Sequence, residues 1–461
     1  FPHHHTVNVV DEFQISPLLG SVPTTATLPL TVLDTYYFFA PIPVRFLFFY
    51  EIHHPKTYFM ETILPNIKHS LSVTLQHFYP LAGNLTWPQE STLPEILYES
   101  GDTVSLTLAE SDYDDDYFYI LSGNQSQDPS MLVPLIPKLR SRSSEKVGPL
   151  LAIQITLFPN KGISIGLAIN HIVADGRTIT HFIKSWASIC RLDGDTSLII
   201  DSLPFYDRSS LKHLKKEMAA QLILGMEHLL GITKDKFNNI IMHNYAHQQI
   251  VPVNKVRATF TMLSPDIKKL KQLVLSKENE ILHLSSLVVT CAYVWVCLIK
   301  ARESSSDNDS NVSDMDYFFL PADFRTRLKP PLPLTYFGNC VDSIFVATKT
   351  SSLTGADGMV FAAKLISNAI LKMNIYDIKV DTTKLPQDRV TSISSSPKFG
   401  VYETDYGWGK PKKVECISNE DSITISDCPN VEGGFEIGFT RNKIEMDAFD
   451  SLFANSLAAL Y

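Results

Sequence analysis

Asn170-His171-Ile172-Val173-Ala174-Asp175-Gly176 sets an imidazole four residues ahead of a carboxylate. With an ordinary pKa of about 6.5, an imidazole can take a proton from a substrate hydroxyl at neutral pH. The pattern His-x-x-x-Asp is loose, and with 14 histidines in the chain a chance match is ordinary. On its own it leaves open a structural His171 and an Asp175 that caps a helix. Two further stretches have unusual chemistry. Asp405-Tyr406-Gly407-Trp408-Gly409-Lys410-Pro411 sets two glycines around a tryptophan, a tight loop that could also be a plain structural turn. Ala322-Asp323-Phe324-Arg325-Thr326-Arg327 runs on through Pro330-Pro331 to Tyr336-Phe337-Gly338-Asn339-Cys340.

The elements that must hold these residues follow from hydrophobic periodicity. Ile163, Ile165, Leu167 and Ile169 alternate with small or polar residues, the period of a strand. Ile179, Phe182, Ile183, Trp186 and Ile189 repeat at helical spacing over Thr178–Cys190. His171 therefore belongs to a strand-to-helix turn, where a side chain can be rigidly held and still face a cleft. Pro159-Asn160-Lys161-Gly162 predicts a hairpin between this strand and one over Leu150–Phe158. Further strands are expected over Ala26–Leu33, Val44–Tyr50, Glu95–Tyr98, Val104–Ala109, Val256–Met262, Tyr317–Ala322, Ser343–Thr348, Ile417–Ser426 and Gly434–Thr440. Helices are expected over Pro65–Tyr79, Met218–Leu230, Asp266–Leu275, Ser285–Lys300, Met359–Leu371 and Met446–Leu460. Helices and strands alternate throughout, so the class is α/β.

At 461 residues the chain exceeds one ordinary core, and two domains are expected. Periodicity fades after Asp193, which sets the boundaries: an N-terminal domain 1–192, a connection 193–216 and a C-terminal domain 217–461. The net charge of −9 argues against nucleic acid or an anionic membrane surface as the main partner. The six cysteines form no Cys-x-x-Cys pair and suit a reducing compartment with free thiols. No apolar run is long enough to cross a membrane. The start Phe-Pro-His-His-His has no basic-then-apolar segment, so no signal peptide is expected, and no function is assigned to His3–His5. Glu303–Asp316 reads as a polar, acidic loop.

The three constellations, in this order and at these distances, resemble the plant BAHD acyltransferase family. The stretch Ser70–Gly83 is similar to that family's N-terminal signature, and the resemblance covers essentially the whole chain. Tyr336-Phe337-Gly338-Asn339-Cys340 is similar to the mark of the clade that acylates anthocyanins and other flavonoid or phenolic glucosides. Tyr406 departs from the family's usual Phe, and its hydroxyl needs a partner if buried.

The resemblance implies two similar chloramphenicol-acetyltransferase-like α/β domains with a solvent channel between them. It implies transfer of an acyl group from an acyl-CoA co-substrate to a sugar hydroxyl, with no metal and no tightly bound cofactor, by a cytoplasmic monomer. His171 would be the general base, and the alkoxide would attack the thioester directly. The candidate oxyanion donors are Trp408 and the run Ser394-Ser395-Ser396, of which Ser396 is favoured by its offset from Asp405. Asp175 and Asp405 are expected to be structural, with Arg325 as the partner of Asp405. Arg177 could hold a malonyl carboxylate bidentately, or be a surface or Asp-paired arginine. Ser285 and Ser286 open a helix whose positive end could hold CoA, or merely cap it. Malonyl-CoA is favoured over p-coumaroyl- or caffeoyl-CoA. Two rival readings are a non-catalytic binding homologue, which would be expected to lose the base, and a metal-dependent hydrolase using His171, Asp175 and His181, which has no third ligand at a recognisable spacing.

Overall fold

The computed structural model of the chain describes residues 6–39, 43–112, 116–143, 146, 148–214, 225, 227–228, 231, 233–246, 253–280, 283–305, 314–375, 384–417 and 421–461. The strands of the first half are β1 (Val7–Ile15), β2 (Thr25–Pro29), β3 (Val44–Glu51), β4 (Asn84–Thr86), β5 (Glu95–Glu99), β6 (Val104–Ser111), β7 (Leu151–Phe158) and β8 (Gly162–Ile169). Those of the second are β9 (Lys255–Met262), β10 (Met315–Asp323), β11 (Val341–Lys349), β12 (Val390–Ser392), β13 (Lys413–Ile417), β14 (Thr424–Asp427) and β15 (Phe435–Asn442). The longer helices are α1 (Leu64–His77), α2 (Gly176–Arg191), α3 (Phe237–Ala246), α4 (Ser264–Lys277), α5 (Ser286–Ser305), α6 (Gly358–Lys372) and α7 (Lys443–Ala458).

The expected hairpin forms: β7 and β8 pair antiparallel from Phe158↔Gly162 to Leu151↔Ile169. Both strands are buried along their whole length, which places them at the centre of a six-stranded sheet ordered β1-β6-β7-β8-β3-β13. A Cβ at Gly166 would stand 2.3 Å from the Leu135 carbonyl, so this strand is packed backbone to backbone there. Helix α2 buries Ile179, Phe182, Ile183, Trp186 and Ile189, the predicted stripe. Trp186 ties it to α1 by donating from Nε1 to Ser70 Oγ at 3.1 Å.

In the second half, α5 is buried nearly all round, and Tyr293 donates to the Phe453 carbonyl of α7 at 2.6 Å. Two three-stranded sheets, β11-β10-β12 and β14-β15-β9, meet at the Ile393↔Ile423 bridge, where Ile423 N–H donates to the Ser392 carbonyl at 2.8 Å.

The two halves are interleaved. Strand β13, late in the chain, pairs with β3 and completes the first sheet. In return Gln127 bridges to Arg257 at the edge of β9. Beneath this exchange lies a buried ionic cluster. Arg257 donates to Glu415 at 2.8 Å, Lys413 Nζ to Asn124 Oδ1 at 2.5 Å, and Tyr402 to Glu436 at 2.5 Å. Burial pushes the Glu415 carboxyl up, but Arg257 and Lys413 outweigh it and leave it below its ordinary range.

Three expectations need correction. The strand over Ala26–Leu33 ends at Pro29, because Thr31 and Asp34 form a reciprocal cap on a short helix, Val32–Thr35. The single strand over Ile417–Ser426 is two: Ile417 ends β13 in the first sheet and Thr424 begins β14 in the second. The polar loop is shorter than Glu303–Asp316, since α5 runs to Ser305 and β10 starts at Met315; 306–313 lie outside the described residues. Most of the helix expected over Met218–Leu230 also lies outside them, as do His3–His5. All six cysteines are free, and no helix among the described residues is long and apolar enough to cross a membrane.

Removing one charge from the interleaved cluster strands the other. Arg257→Met is expected to lower the stability by about 3 kcal/mol in urea unfolding, and replacing Glu415 with an apolar residue as well should restore most of it.

Candidate active site

The site is built where β8 runs out. Asn170 N–H donates to the Leu150 carbonyl at 2.9 Å, the last rung of the hairpin. Its side chain then turns the backbone, accepting from Ile172 N–H at 3.1 Å and donating to the Tyr245 hydroxyl of α3 at 3.1 Å. Asp175 caps α2 by accepting from Thr178 N–H at 3.0 Å. His171 is thus held between a strand end and a helix cap.

The cap is also the centre of a clamp. Arg325, fully buried, reaches Asp175 through both Nη atoms, at 2.8 and 3.0 Å. Cys340 N–H donates to the same carboxylate at 3.0 Å. Burial alone would raise the Asp175 carboxyl, but Arg325 and the backbone donors hold it below its ordinary 3.8. Asn339 completes the grip by donating from Nδ2 to the carbonyls of His171 and Ile172 at 2.9 and 3.2 Å. Asn339 is itself fixed by Asp34, whose carboxylate accepts from its backbone N–H at 3.0 Å and its side chain at 3.1 Å. Arg208, from the connection between the halves, donates to Asp34 at 2.9 Å and to the Phe337 carbonyl at 2.9 Å.

Among the described residues, no carboxylate touches the His171 ring. Tyr37 covers one face, with ring centroids 3.6 Å apart and planes 6° from parallel. Nδ1 is buried without a hydrogen-bond partner among the described residues, while the residue as a whole is partly exposed. Nε2 has no partner among the described residues and is not buried, so it is the nitrogen a substrate can reach. Burial pushes the imidazole below its ordinary 6.5, partly offset by its own carbonyl, Asp175, Asn339 and Asp34.

The sequence profile of the Transferase family matches residues 7–455. A phenolic glucoside malonyltransferase of Nicotiana tabacum is 35% identical across 98% of this chain and 100% of its own. A malonyl-coenzyme A:anthocyanin 3-O-glucoside malonyltransferase of Dahlia pinnata is 35% identical across 98% of this chain and 97% of its own. The chain belongs to the BAHD family of acyl-CoA-dependent acyltransferases. A coumaroyl-CoA:anthocyanidin 3-O-glucoside coumaroyltransferase of Arabidopsis thaliana is 34% identical across 99% of this BAHD chain and 98% of its own. Among solved structures, vinorine synthase superposes with a TM-score of 0.67 at 19% identity, over 99% of this chain and 98% of that one. The crystal structure of F. graminearum TRI101 complexed with coenzyme A and T-2 mycotoxin gives a TM-score of 0.65 at 14% identity, over 92% of this chain and 97% of that one. These likenesses fix the fold as the two-domain, chloramphenicol-acetyltransferase-like α/β architecture.

Within this BAHD fold, His171, Asp175 and Arg325 lie together. The other expected residues lie elsewhere or have other partners. Arg325 does not pair with Asp405. The Asp405 carboxylate instead accepts from Gly407 and Gly409 N–H at 2.8 and 3.0 Å. The two glycines, at φ 114° and 105°, aim their N–H groups back at it, so the loop satisfies its own acid. Tyr406 is buried against Trp186, Trp408 and Tyr50, and its hydroxyl has no partner among the described residues. Trp408 packs edge-on to Tyr50 of β3, with a buried and unpaired Nε1. Ser396 accepts from Lys398 N–H at 3.3 Å and caps a short turn. Arg177 donates from Nε to Asp323 at 2.5 Å, the Asp-paired alternative. Ser285 accepts from Val288 N–H at 3.2 Å and caps α5, where Ser286 is the first residue. Among the described residues, no hydrogen bond or ring contact joins Trp408, Ser396, Arg177, Ser285 or Ser286 to His171. His181 turns to the Ser202 carbonyl at 2.6 Å, and no three His, Cys, Asp or Glu among the described residues form a metal-ligand cluster.

Asp34, Arg208 and Tyr37 were not singled out from sequence. The one signal for them is Thr31-x-x-Asp34, a capping-box spacing that also explains why the chain turns there.

Two outcomes follow. Asp175→Asn leaves Arg325 buried without its main counter-charge and should cost about 3 kcal/mol in urea unfolding. The wild-type contribution is complete above the unfolded value of 3.8 and fades as pH falls through the lower folded value, so the variant's acid limb should be flatter. Tyr406→Phe removes a buried, unpaired hydroxyl and should raise stability by about 1 kcal/mol.

Proposed function

We propose that this enzyme transfers an acyl group, malonyl in preference, from its CoA thioester to a sugar hydroxyl of an anthocyanin, flavonoid or other phenolic glucoside. The observation that carries the reading is the single uncommitted, reachable nitrogen of His171, Nε2, on a loop gripped from both sides. The likeness to two glucoside malonyltransferases supports the donor and acceptor class.

The chemistry runs in one ternary complex. Nε2 takes the proton as the sugar oxygen bonds to the thioester carbonyl carbon. Charge collects on the carbonyl oxygen, where we assign the uncommitted donors Ser396 Oγ and Trp408 Nε1. Collapse breaks the C–S bond, and the imidazolium returns its proton to the CoA thiolate. Asp175, Arg325 and Asp405 act on structure alone. For malonyl recognition we assign Arg177: Asp323 takes its Nε, and its two Nη groups have no partner among the described residues. Ser285 and Ser286 are read as part of the CoA-facing end of α5. We also read residues 1–192 and 217–461 as the two domains, joined by 193–216, in a cytoplasmic monomer without metal. Six free thiols support a reducing compartment.

The likeness to a coumaroyltransferase favours a second reading, in which the donor is a hydroxycinnamoyl-CoA. CoA release and product mass distinguish the two, measured for phenolic glucosides and their aglycones with malonyl-, acetyl- and p-coumaroyl-CoA. The expected result is malonyl transfer to glucosides, reduced about 100-fold or more in His171→Ala. Transfer from p-coumaroyl-CoA alone would remove the Arg177 assignment, and full turnover in the variant would remove the base. Because burial lowers the imidazole below 6.5, kcat/KM should rise with pH through a limb below that value and then level off.

A further inference from the structure

We propose that Tyr37 is the positioning residue of the His171 base: its ring face, in place of a carboxylate, fixes the imidazole plane and stabilises the imidazolium formed when the base takes its proton. The inference rests on the acyl-transfer reading above.

A general base must be aimed. The usual device is a carboxylate on the second ring nitrogen, but Asp175 and Asp34 are committed elsewhere, to Arg325 and Arg208. What meets the ring is Tyr37, parallel to within 6° at 3.6 Å between centroids. Such a contact blocks rotation of the imidazole about its last side-chain bond, keeping Nδ1 inward and Nε2 outward. It also presents the electron-rich face of a phenol to a ring that becomes cationic in the reaction.

Tyr37 is well placed to do this. It lies three residues past Asp34, on the short turn Tyr36–Phe39 that directly follows the helix Asp34 helps to cap. The same Asp34 carboxylate fixes Asn339, which holds the His171 carbonyl. One buried acid therefore sets both partners of the stack. The phenol stays neutral across the working range, since burial and the nearby Asp175 and Asp34 raise its pKa.

Other groups around the imidazole bear on its titration. Asp175 comes from the start of α2 and Asp34 from the short helix Val32–Thr35, and both favour the cation. Those two carboxylates are in turn paired with Arg325 from the second half and Arg208 from the connection. The Cys340 thiol, pushed to about 12, and the Tyr336 hydroxyl stay neutral.

The test is an NMR titration of the histidine Cε1 protons in the free, full-length enzyme, with the His171 signal assigned through His171→Gln. Tyr37→Phe keeps the ring, Tyr37→Leu replaces it with a smaller apolar side chain, and Tyr37→Met is a second, unbranched non-aromatic variant. The His171 midpoint should move down by about half a pH unit in the Leu and Met variants and stay in place in Phe. In acyl transfer, kcat should fall about ten-fold or more in Leu and Met, with KM for malonyl-CoA unchanged and Phe near wild type. An unmoved midpoint with wild-type kcat in Leu and Met would overturn the proposal, as would a Phe variant as impaired as they are. A shifted midpoint in an enzyme that transfers no acyl group from any donor would leave the stack standing and remove the functional reading instead.

Discussion

The bidentate contact between Asp175 and Arg325 is the constraint on which the site depends. It joins a helix cap in the first half of the chain to a strand end in the second, with neither side chain open to solvent. A pair so buried contributes less through its net attraction than through the penalty for any arrangement that separates the charges. The His171 loop is therefore assembled only when the halves are correctly docked. The exchange of β13 and the Gln127 bridge enforce the same docking from the opposite edge, over a second buried pair, Arg257 with Glu415.

The division of labour around His171 follows from this. The nearest acid in sequence is spent on architecture, which leaves the outward nitrogen of the imidazole uncommitted among the described residues. In the acyl-transfer reading proposed above, that nitrogen takes the proton of the alcohol and returns it to the thiolate. The Tyr336-Phe337-Gly338-Asn339-Cys340 segment also gains a physical meaning. Its backbone and Asn339 grip the His171 loop through Asp175, His171 and Ile172.

Much of this was legible in the sequence where local periodicity and burial agreed. The β7–β8 hairpin and the stripe of α2 follow from alternation and from helical spacing, and so place His171 correctly. What was hidden depended on long-range contacts. Strand β13 carries Lys413 and Glu415 on its buried positions, so charge masks its strand pattern until their partners are known. Arg325 could be seen to need an acid, but sequence spacing cannot choose between Asp175 and Asp405. The glycines after Asp405, which let the loop satisfy that acid by itself, decide the matter. Asp34 and Tyr37 come to the site from more than a hundred residues upstream, and only the folded chain brings them there.

The most direct measurement is a rapid-mixing experiment with saturating malonyl-CoA, with and without a phenolic glucoside, following CoA release and the intact mass of the enzyme. Direct attack guided by His171 predicts no CoA burst and no acylated enzyme until the glucoside is added. A stoichiometric burst of CoA without the glucoside, with the acyl group left on the protein, would contradict the account.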